Sequence, residues 1–276
     1  TQRLSPFLLL RYNEYINVCT DYEERSFIMN LTKKFSSFSS PKGNIGKALL
    51  VLMNVTHTPA SLWSLSHLDI KEDAEILDIG CGGGSNLARL LKRAPSGRVS
   101  GIDPSPDAVD VSFRYNRKAV EEGRCFVYEG TADLLPFESS RFDIVTAFET
   151  IYFWKDLQKC LKEVRRVMKP GATLLISNEA DGEGFLDEFY PKLIPGMTVY
   201  TVGELVSELT RAGFVRIETD TKLGCITIAA RKPESALTQI KEAARFDRVR
   251  KWGSIALISA AVLAAGLILY KNNKNK

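Results

Sequence analysis

Residues 75–93 read EILDIGCGGGSNLARLLKR, and this stretch decides the fold. A short apolar run ends at Ile79 in a group of glycines, and a helical pattern begins at Ser85. Glycines between a strand and a helix allow a tight turn and let the backbone approach a ligand closely. The helix that follows offers unpaired N–H groups at its start. The stretch therefore predicts a strand, a ligand-binding loop and a helix.

Alternating strand and helix patterns continue from this stretch towards the C-terminus. Strands are predicted at 98–102, 125–129, 142–147 and 172–177, and helices at 85–93, 106–122, 156–168 and 202–212. Such alternation indicates a parallel sheet. The last two predicted strands, 215–219 and 225–230, are separated by only a few residues. A connection this short makes a hairpin, so the last strand is expected to run antiparallel.

Two acidic residues follow predicted strands. Asp103 ends the second strand, where a carboxylate can accept hydrogen bonds from both hydroxyls of a ribose. Its alternative role is to cap the turn that continues through Pro104. Asp133 follows the third strand, where it can accept a hydrogen bond from the exocyclic amine of adenine, although aspartate is common in loops. Their order along the chain favours nucleoside binding.

Taken together, these motifs resemble those of a class I S-adenosylmethionine-dependent methyltransferase. The motifs are ILDIGCGGG, GIDPS, GTADLLPF, FDIVTAFE and RVMKPGATLLIS, all within residues 75–231. The resemblance implies an α/β, Rossmann-like, doubly wound sheet of seven mostly parallel strands with the last strand antiparallel. It also implies S-adenosyl-L-methionine as cofactor. A nicotinamide-dependent dehydrogenase fits less well, since the glycine run is G-C-G-G-G and no second substrate domain follows.

The resemblance also assigns roles to particular residues. Asp103 would hold the ribose and Asp133 the adenine, while Phe148 and Glu149 would face the bound cofactor. The residues that would shape the pocket for the amino-acid end of the cofactor are Asp78, Gly80, Gly82 and Gly84.

Methyl transfer from a sulfonium is an in-line displacement, so the protein mainly positions the acceptor and excludes water. A general base is needed only if the acceptor must lose a proton. Glu149, at the end of the fourth strand, is a candidate base. His67 is a second candidate, but a structural role suits this histidine better. His57 and Trp63 are weaker candidates for contacts to the acceptor.

The acceptor pocket is predicted from residues that follow the fourth and fifth strands, namely Tyr152, Trp154 and Glu179. The two aromatic side chains have an alternative role as packing beneath the next helix. The insert at 180–200 is either part of this pocket or a surface loop. No metal site is expected, because the chain has two histidines and five cysteines without a C-x-x-C pair. The same cysteine pattern fits a reducing compartment.

The segment 253–270, GSIALISAAVLAAGLILY, contains no charged residue. With Trp252 it approaches the roughly 20 residues that cross a bilayer core as a helix, and Trp252 and Tyr270 bracket it as interfacial aromatics do. We therefore predict a transmembrane helix over 252–270, with a buried soluble helix as the alternative. A basic juxtamembrane helix (234–251) would precede it and a polar tail (271–276) would follow. The catalytic domain would lie in the cytoplasm.

The whole pattern predicts an N-terminal extension or helical cap (1–45), a methyltransferase domain (46–233) and a membrane tether. The expected function is methylation of a small-molecule or lipid-like acceptor, and the alternative is a non-catalytic, membrane-attached cofactor-binding sensor or scaffold. The intact set Asp78, Asp103 and Asp133 favours the enzyme. No nucleic-acid partner is expected, because the net charge is only +4 and no N-P-P-Y-like motif follows the fourth strand. The sequence leaves the oligomeric state open.

Overall fold

The computed structural model describes residues 43, 46, 50, 53, 54, 57–184, 187, 190–235, 238 and 241. Its helices are α1 (Thr58–Leu65), α2 (Ser85–Arg93), α3 (Pro106–Tyr115), α4 (Arg117–Glu121), α5 (Leu157–Val167), α6 (Tyr190–Leu193) and α7 (Val202–Arg211). Its strands are β1 (Glu75–Ile79), β2 (Arg98–Asp103), β3 (Cys125–Glu129), β4 (Phe142–Phe148), β5 (Met168–Asn178), β6 (Val215–Lys222) and β7 (Cys225–Arg231).

The seven strands form one sheet in the order β3-β2-β1-β4-β5-β7-β6. Strands β1 to β5 are parallel, and β7 runs antiparallel to both of its neighbours. This confirms the predicted mostly parallel sheet with a reversed last strand. We call the side of the sheet where β1 to β5 end the carboxyl edge, and the opposite side the amino edge. The strand order reverses between β1 and β4, where open α/β sheets bind ligands at the carboxyl edge.

Apolar side chains cover both faces of the sheet, as the doubly wound fold requires. One face packs against α5 and α7, through residues such as Val145, Leu161, Leu174 and Leu209. The other face packs against α1 and α2, with Leu65, Ile76, Leu87 and Leu175 fully buried. The period-2 pattern of the strands supplies this alternation between the two faces.

The helix predicted at 106–122 is interrupted at Asn116, which separates α3 from α4. The Asn116 side-chain amide donates hydrogen bonds to the Gly84 carbonyl at 2.9 Å and the Ser112 carbonyl at 3.0 Å. Asparagine competes with regular helix through such side-chain to backbone bonds. The break therefore ties the end of α3 to the glycine loop.

Strand β5 begins four residues before its predicted start. Met168 pairs with Phe142, and a register irregularity between Phe142 and Ile144 accommodates the Lys169-Pro170-Gly171 segment, which follows the helix predicted at 156–168. The Gly171 N–H donates to the Lys232 carbonyl, and the Lys232 N–H donates to the Ala172 carbonyl. These bonds fix the point where the chain leaves β7, at the amino edge.

No helix within the described residues is both long and apolar enough to cross a membrane. The predicted transmembrane helix (252–270) and polar tail (271–276) lie outside the described residues. Most of the predicted N-terminal extension (1–45) and of the juxtamembrane helix (234–251) also lies outside them.

Candidate functional site

The glycine loop connects β1 to α2 at the carboxyl edge. Gly80, Gly82 and Gly84 have φ values of 72°, 51° and 80°, a region that side chains rarely adopt. A Cβ added at Gly80 would overlap the Thr150 hydroxyl, so the loop after β4 lies directly against the glycine loop. At Gly82 the nearest atom to an added Cβ is 3.9 Å away. The middle of the loop therefore has room for a ligand against its backbone.

Asp103 connects the end of β2 to the glycine loop. Its Oδ2 accepts a hydrogen bond from the Gly82 N–H at 3.0 Å, and its Oδ1 accepts one from the Ser105 N–H at 2.9 Å. Burial raises the pKa of Asp103, although the two N–H donors oppose that shift. The Ser105 bond is the turn cap that the sequence offered as an alternative. Each oxygen retains acceptor capacity for a ribose hydroxyl, so the two roles are compatible.

Asp78 lies buried at the level of the loop and does not reach the open side. Its Oδ1 accepts a hydrogen bond from the Thr146 hydroxyl at 2.7 Å, which links β1 to β4. Burial raises the pKa of Asp78 to about 7, with the Asp103 carboxylate contributing. Asp78 therefore connects the strand that leads into the glycine loop to β4, through its hydrogen bond with Thr146.

A cavity of about 720 Å³ opens between the loops that follow β1, β2, β3 and β4. Among the residues that line it are Gly80, Pro104, Asp133, Thr150 and Trp154. Its size lies within the range of small-molecule and cofactor sites. The structure thus brings the glycine loop and the predicted adenine-binding residue Asp133 to one cavity.

Asp133 is paired within this cavity. The Lys159 ammonium donates to Asp133 Oδ2 at 2.8 Å, and this bond holds the pKa of Asp133 below its ordinary value. The carboxylate is therefore ionised at neutral pH and can accept a hydrogen bond from an amine. Lys159, which the sequence analysis did not single out, follows Asp156 by three residues on the first turn of α5.

A second group of polar side chains lies beside the first, at the ends of β4 and β5. Glu149 has a φ of 54°, and its N–H donates to the Ser177 carbonyl at 2.9 Å. Its Oε1 is buried and has no hydrogen-bond partner among the described residues. Burial raises the pKa of Glu149 to about 8; the nearby His57 lowers it and Glu179 raises it.

His57 reaches this group from the start of α1. Its Nδ1 lies 3.0 Å from Glu179 Oε1, and the two side chains are 30% and 35% exposed. Burial by itself would lower the pKa of His57, but the close contact with Glu179 and the charges of Glu149 and Glu179 raise it above its ordinary value. His57 was only a weak candidate from sequence, because its partner Glu179 is more than 100 residues away.

Tyr152 is buried next to this group and connects it to the segment after β5. Its hydroxyl oxygen accepts a hydrogen bond from the Ala180 N–H at 3.0 Å, and its carbonyl accepts one from the Thr198 N–H. Ala180 and Thr198 of the 180–200 insert are therefore bonded to Tyr152. This contact favours the first of the two predicted roles of the insert, which was part of the acceptor pocket. Trp154 lines the cavity of about 720 Å³, and its predicted contact with the acceptor stays a prediction.

Asn178 is a further buried polar residue at this edge. The side chain is 0% exposed, and neither atom of its amide has a hydrogen-bond partner within the described part of the chain. It ends β5, immediately before Glu179, and pairs with Ile226 of β7. The sequence analysis missed Asn178, although its position after a fifth strand that ends at the carboxyl edge was a usable signal.

Three other predicted residues lie elsewhere. Nε2 of His67 is 3.0 Å from Asp220 Oδ2, and the imidazole lines a separate cleft of about 410 Å³ at the amino edge. This arrangement fits the structural interpretation of His67 and does not bring it to Glu149. Trp63 packs edge-on against the His67 ring. Phe148 packs in the hydrophobic cluster beneath α1 and α2, since the alternation of β4 turns it towards that face.

Asn54 connects the N-terminal residues to the glycine loop. Its side-chain amide donates to the Gly83 carbonyl at 3.0 Å, and its own carbonyl accepts a hydrogen bond from the Thr58 hydroxyl at 2.9 Å. Asn54 and His57 are three residues apart in sequence. One short segment therefore contacts both the glycine loop and Glu179.

Comparison with known proteins agrees with this geometry. The sequence profile of the family described as methyltransferase domain matches residues 77–176. The uncharacterized methyltransferase YcgJ of Bacillus subtilis is 32% identical over 123 residues, which are 44% of this chain and 47% of that protein. A SAM-dependent methyltransferase from Aquifex aeolicus shares the fold, with 22% identity and a TM-score of 0.56 over 67% of this chain and 97% of that one. Residues 77–176 belong to a class I S-adenosylmethionine-dependent methyltransferase domain.

The methyltransferase domain also matches relatives whose names state an acceptor. Sterol 4-C-methyltransferase strm-1 of Caenorhabditis elegans is 31% identical over 112 residues, which are 40% of this chain and 32% of that protein. The chain spans less than two thirds of the length of this and several other curated relatives. The likeness therefore concerns the domain that binds the cofactor.

The residues of the methyltransferase domain fit S-adenosylmethionine. The backbone at Gly82 has space beside it, Asp103 accepts a hydrogen bond from the Gly82 N–H, and Asp133 lines the cavity that the glycine loop reaches through Gly80. The cofactor would be held by the glycine loop, Asp103 and Asp133, and it would supply a methyl group carried on positively charged sulfur. The polar side chains at the ends of β4 and β5 (Glu149, Asn178, Glu179) are separate from these contacts.

Proposed function

We propose that this chain transfers the methyl group of S-adenosylmethionine to a small-molecule or lipid-like acceptor. The observation that carries the proposal is the contact between Gly80 and Thr150. Because Thr150 follows Glu149 directly, this contact sets a carboxyl with an unpartnered oxygen beside the glycine loop. The cofactor site and a group able to bind an acceptor thus share one wall, as methyl transfer requires.

The residues of the chain would contribute by binding, orienting and excluding water. Tyr152 is buried beside the ends of β4 and β5 and is bonded to Ala180 and Thr198, so these residues would help to remove an acceptor there from solvent. Glu149 and Asn178 would offer hydrogen bonds to the acceptor's polar atoms. Most of the rate enhancement would come from holding the acceptor in line with the methyl group. Direct transfer of this kind needs no covalent intermediate.

The polar groups of the proposed acceptor side support a small acceptor. Its polar groups come from a few neighbouring residues (Glu149, Asn178, Glu179) and not from an extended basic surface. The names of matched relatives span different acceptors, from the sterol of the Caenorhabditis elegans enzyme to the tRNA of the U34 carboxymethyltransferase of Campylobacter curvus. We therefore base the acceptor class on the site. A membrane tether at 252–270, with the domain in the cytoplasm, would favour an acceptor that partitions into membranes.

The experiment is methyl transfer from methyl-labelled S-adenosylmethionine to a cell extract separated into membrane and aqueous fractions. We expect the full chain to label a small molecule, with more label in the membrane fraction. Asp103→Ala should weaken cofactor binding by about tenfold or more, because a hydrogen bond to a charged group is worth about 1.5–3 kcal/mol. Glu121→Ala, which removes a carboxylate from a surface pair with Arg117, is the matched control and should bind as the wild type does.

Two results would contradict the proposal. If the wild type binds S-adenosylmethionine tightly but labels nothing in either fraction, the non-catalytic sensor or scaffold becomes the better description. If the label enters only protein or nucleic acid, methyl transfer stands and the small-molecule acceptor is wrong.

A further inference from the structure

Three titratable side chains from separate parts of the chain meet at the acceptor side of the site. His57 comes from the start of α1, Glu149 from the end of β4 and Glu179 from the end of β5. His57 Nδ1 and Glu179 Oε1 are 3.0 Å apart, while Glu149 Oε1 is buried without a partner among the described residues. A histidine in contact with one carboxylate, and near a second carboxyl that has one unpartnered oxygen, has the composition of a proton-transfer site.

We propose that His57, oriented by Glu179, accepts the proton of the methyl acceptor, and that the acceptor's reacting atom is a nitrogen or oxygen that bears a proton. This inference rests on the proposed function. A carboxylate beside Nδ1 favours the tautomer with the proton on Nδ1, which leaves the lone pair of Nε2 to act as the base. Glu179 is a positioning residue in this arrangement.

In the proposed step two bonds form and two bonds break. A bond forms between the acceptor's nitrogen or oxygen and the methyl carbon, and the carbon–sulfur bond breaks with its electron pair remaining on sulfur. The acceptor's N–H or O–H bond releases its proton to His57 Nε2, and the electrons of that bond remain on the acceptor. Water takes up the proton afterwards, because the imidazole is 30% exposed.

The surrounding groups favour a histidine that changes charge near neutral pH. Glu179 and Glu149 both raise the pKa of His57. Tyr152, Tyr190 and Cys225 are the other titratable groups near these carboxylates, and burial raises the pKa of each, so they stay neutral. The His57 imidazole and the Glu149 carboxyl, whose pKa burial raises to about 8, are therefore the groups here that exchange a proton near neutral pH, and of the two it is the imidazole that Glu179 contacts at 3.0 Å.

Asn54 supports the assignment from the cofactor side. Its side-chain amide donates a hydrogen bond to the Gly83 carbonyl at 3.0 Å. Asn54 precedes His57 by three residues, so the segment that carries the proposed base also contacts the glycine loop. This connection would keep the imidazole at a fixed place relative to the methyl group. Removing the imidazole should then leave the cofactor contacts intact, which makes the two roles separable.

The first test measures the histidine directly, in the full chain. The sequence has only two histidines, so in His67→Gln the remaining imidazole signal in a nuclear magnetic resonance titration belongs to His57. We expect the measured pKa of His57 to lie above the ordinary 6.5. We expect it to fall when Glu179→Gln is added. A pKa that is the same with and without Glu179→Gln would overturn the role of Glu179.

The second test measures transfer with ¹³C-methyl S-adenosylmethionine and the extract fraction that the wild type labels. His57→Gln should lower the transfer rate by about 100-fold or more, the usual contribution of a general base, while its cofactor affinity measured by calorimetry stays within about threefold. Glu179→Gln should lower the rate less and move the rising limb of the pH profile to lower pH. The His67→Gln control should transfer at the wild-type rate, and the ¹³C shift should place the methyl on nitrogen or oxygen.

Each remaining outcome has a defined meaning. A rate in His57→Gln within about threefold of wild type, or a methyl group found on carbon, overturns the inference and leaves the proposed function standing. Loss of cofactor affinity together with the rate would assign His57 to the cofactor site and would also overturn it. A wild type that binds cofactor but labels nothing removes the proposed function, and the inference with it. His57→Asn is the second variant if His57→Gln does not fold.

Discussion

At the residue scale, the Glu149 carboxyl makes folding depend on pH. Its pKa in the folded protein is about 8, against an ordinary 4.5. Between these values the folded chain keeps the proton that the unfolded chain releases, so the free energy of unfolding falls as pH rises through this range. Glu149→Gln cannot ionise, and we expect it to be more stable than wild type by about 1–2 kcal/mol at pH 8 and nearly equal at pH 4.5. Thermal unfolding at both pH values measures this.

The control for Glu149→Gln is Glu121→Gln, an exposed carboxyl whose pH dependence should match the wild type. Equal pH slopes for wild type and Glu149→Gln would show that the carboxyl ionises in the folded state as it does in the unfolded one. His57 acts in the same direction as Glu149, because its raised pKa adds stability at low pH that is lost as pH rises through that value.

The residues that could be predicted from the sequence are those that follow a strand within a local motif. Asp103 ends β2 and Asp133 follows shortly after β3, so the local motifs predict that both carboxylates lie at the carboxyl edge. His57 and Asn178 could not, because their roles depend on contacts between α1, β4 and β5 that no local pattern encodes. Phe148 was predicted to face the cofactor, and it packs beneath α1 and α2. Successive side chains of β4 point to opposite faces of the sheet, so a shift of one residue along the strand reverses the face.

At the element scale, the turn from β1 to α2 depends on Gly80. Alanine there would be forced to a φ near 72° and would overlap the Thr150 hydroxyl. We expect Gly80→Ala to destabilise the fold by about 1–3 kcal/mol and to weaken S-adenosylmethionine binding by about tenfold or more. Chemical unfolding and calorimetry are the two measurements.

Gly203→Ala is the matched control for Gly80→Ala. Gly203 lies in the first turn of α7 with no atom near an added Cβ. Alanine is the better helix former, so this variant should gain up to about 1 kcal/mol and bind the cofactor unchanged. Weakened binding in both variants would show that affinity follows something other than the geometry of the loop.

The β6–β7 hairpin turns through Leu223 and Gly224, which have φ values of 54° and 81°. Two residues with positive φ are typical of the hairpin turn in which Asn-Gly is preferred, and Leu223 is 96% exposed. We expect Leu223→Asn to stabilise the protein by about 0.5–1 kcal/mol, since leucine in this conformation costs about 1 kcal/mol or more. Leu134→Asn, an exposed leucine with negative φ, should bring no such gain. Thermal unfolding compares the two.

Most element positions could be predicted because the apolar periodicity is strong. Strands β1 and β3 and helix α2 have their predicted bounds, and the short β6–β7 connection gave the direction of the last strand. The break at Asn116 and the early start of β5 could not be predicted, because both depend on partners distant in sequence. Asn116 is held by Gly84, and the segment around Gly171 pairs with Lys232.

At the scale of the whole molecule, the membrane tether is the prediction that needs its own test. A chain lacking 252–276 should move from the membrane to the aqueous fraction on cell fractionation, because it loses the 19 uncharged residues at 252–270. Its affinity for S-adenosylmethionine should not change. A chain lacking only 271–276 is the control and should stay with the membrane. If the full chain is itself recovered in the aqueous fraction, the tether is wrong.

The chain leaves the sheet at the amino edge, where Lys232 is bonded to Gly171 and Ala172. The glycine loop and the proposed proton-transfer group lie at the opposite edge. If the protein is immobilised on a sensor chip or a bead through an exposed residue at the end of β7, such as Arg231, its cofactor and proposed acceptor sites will therefore point into the flowing solution. Immobilisation through the β6–β7 turn would bring the same sites against the support and obstruct them.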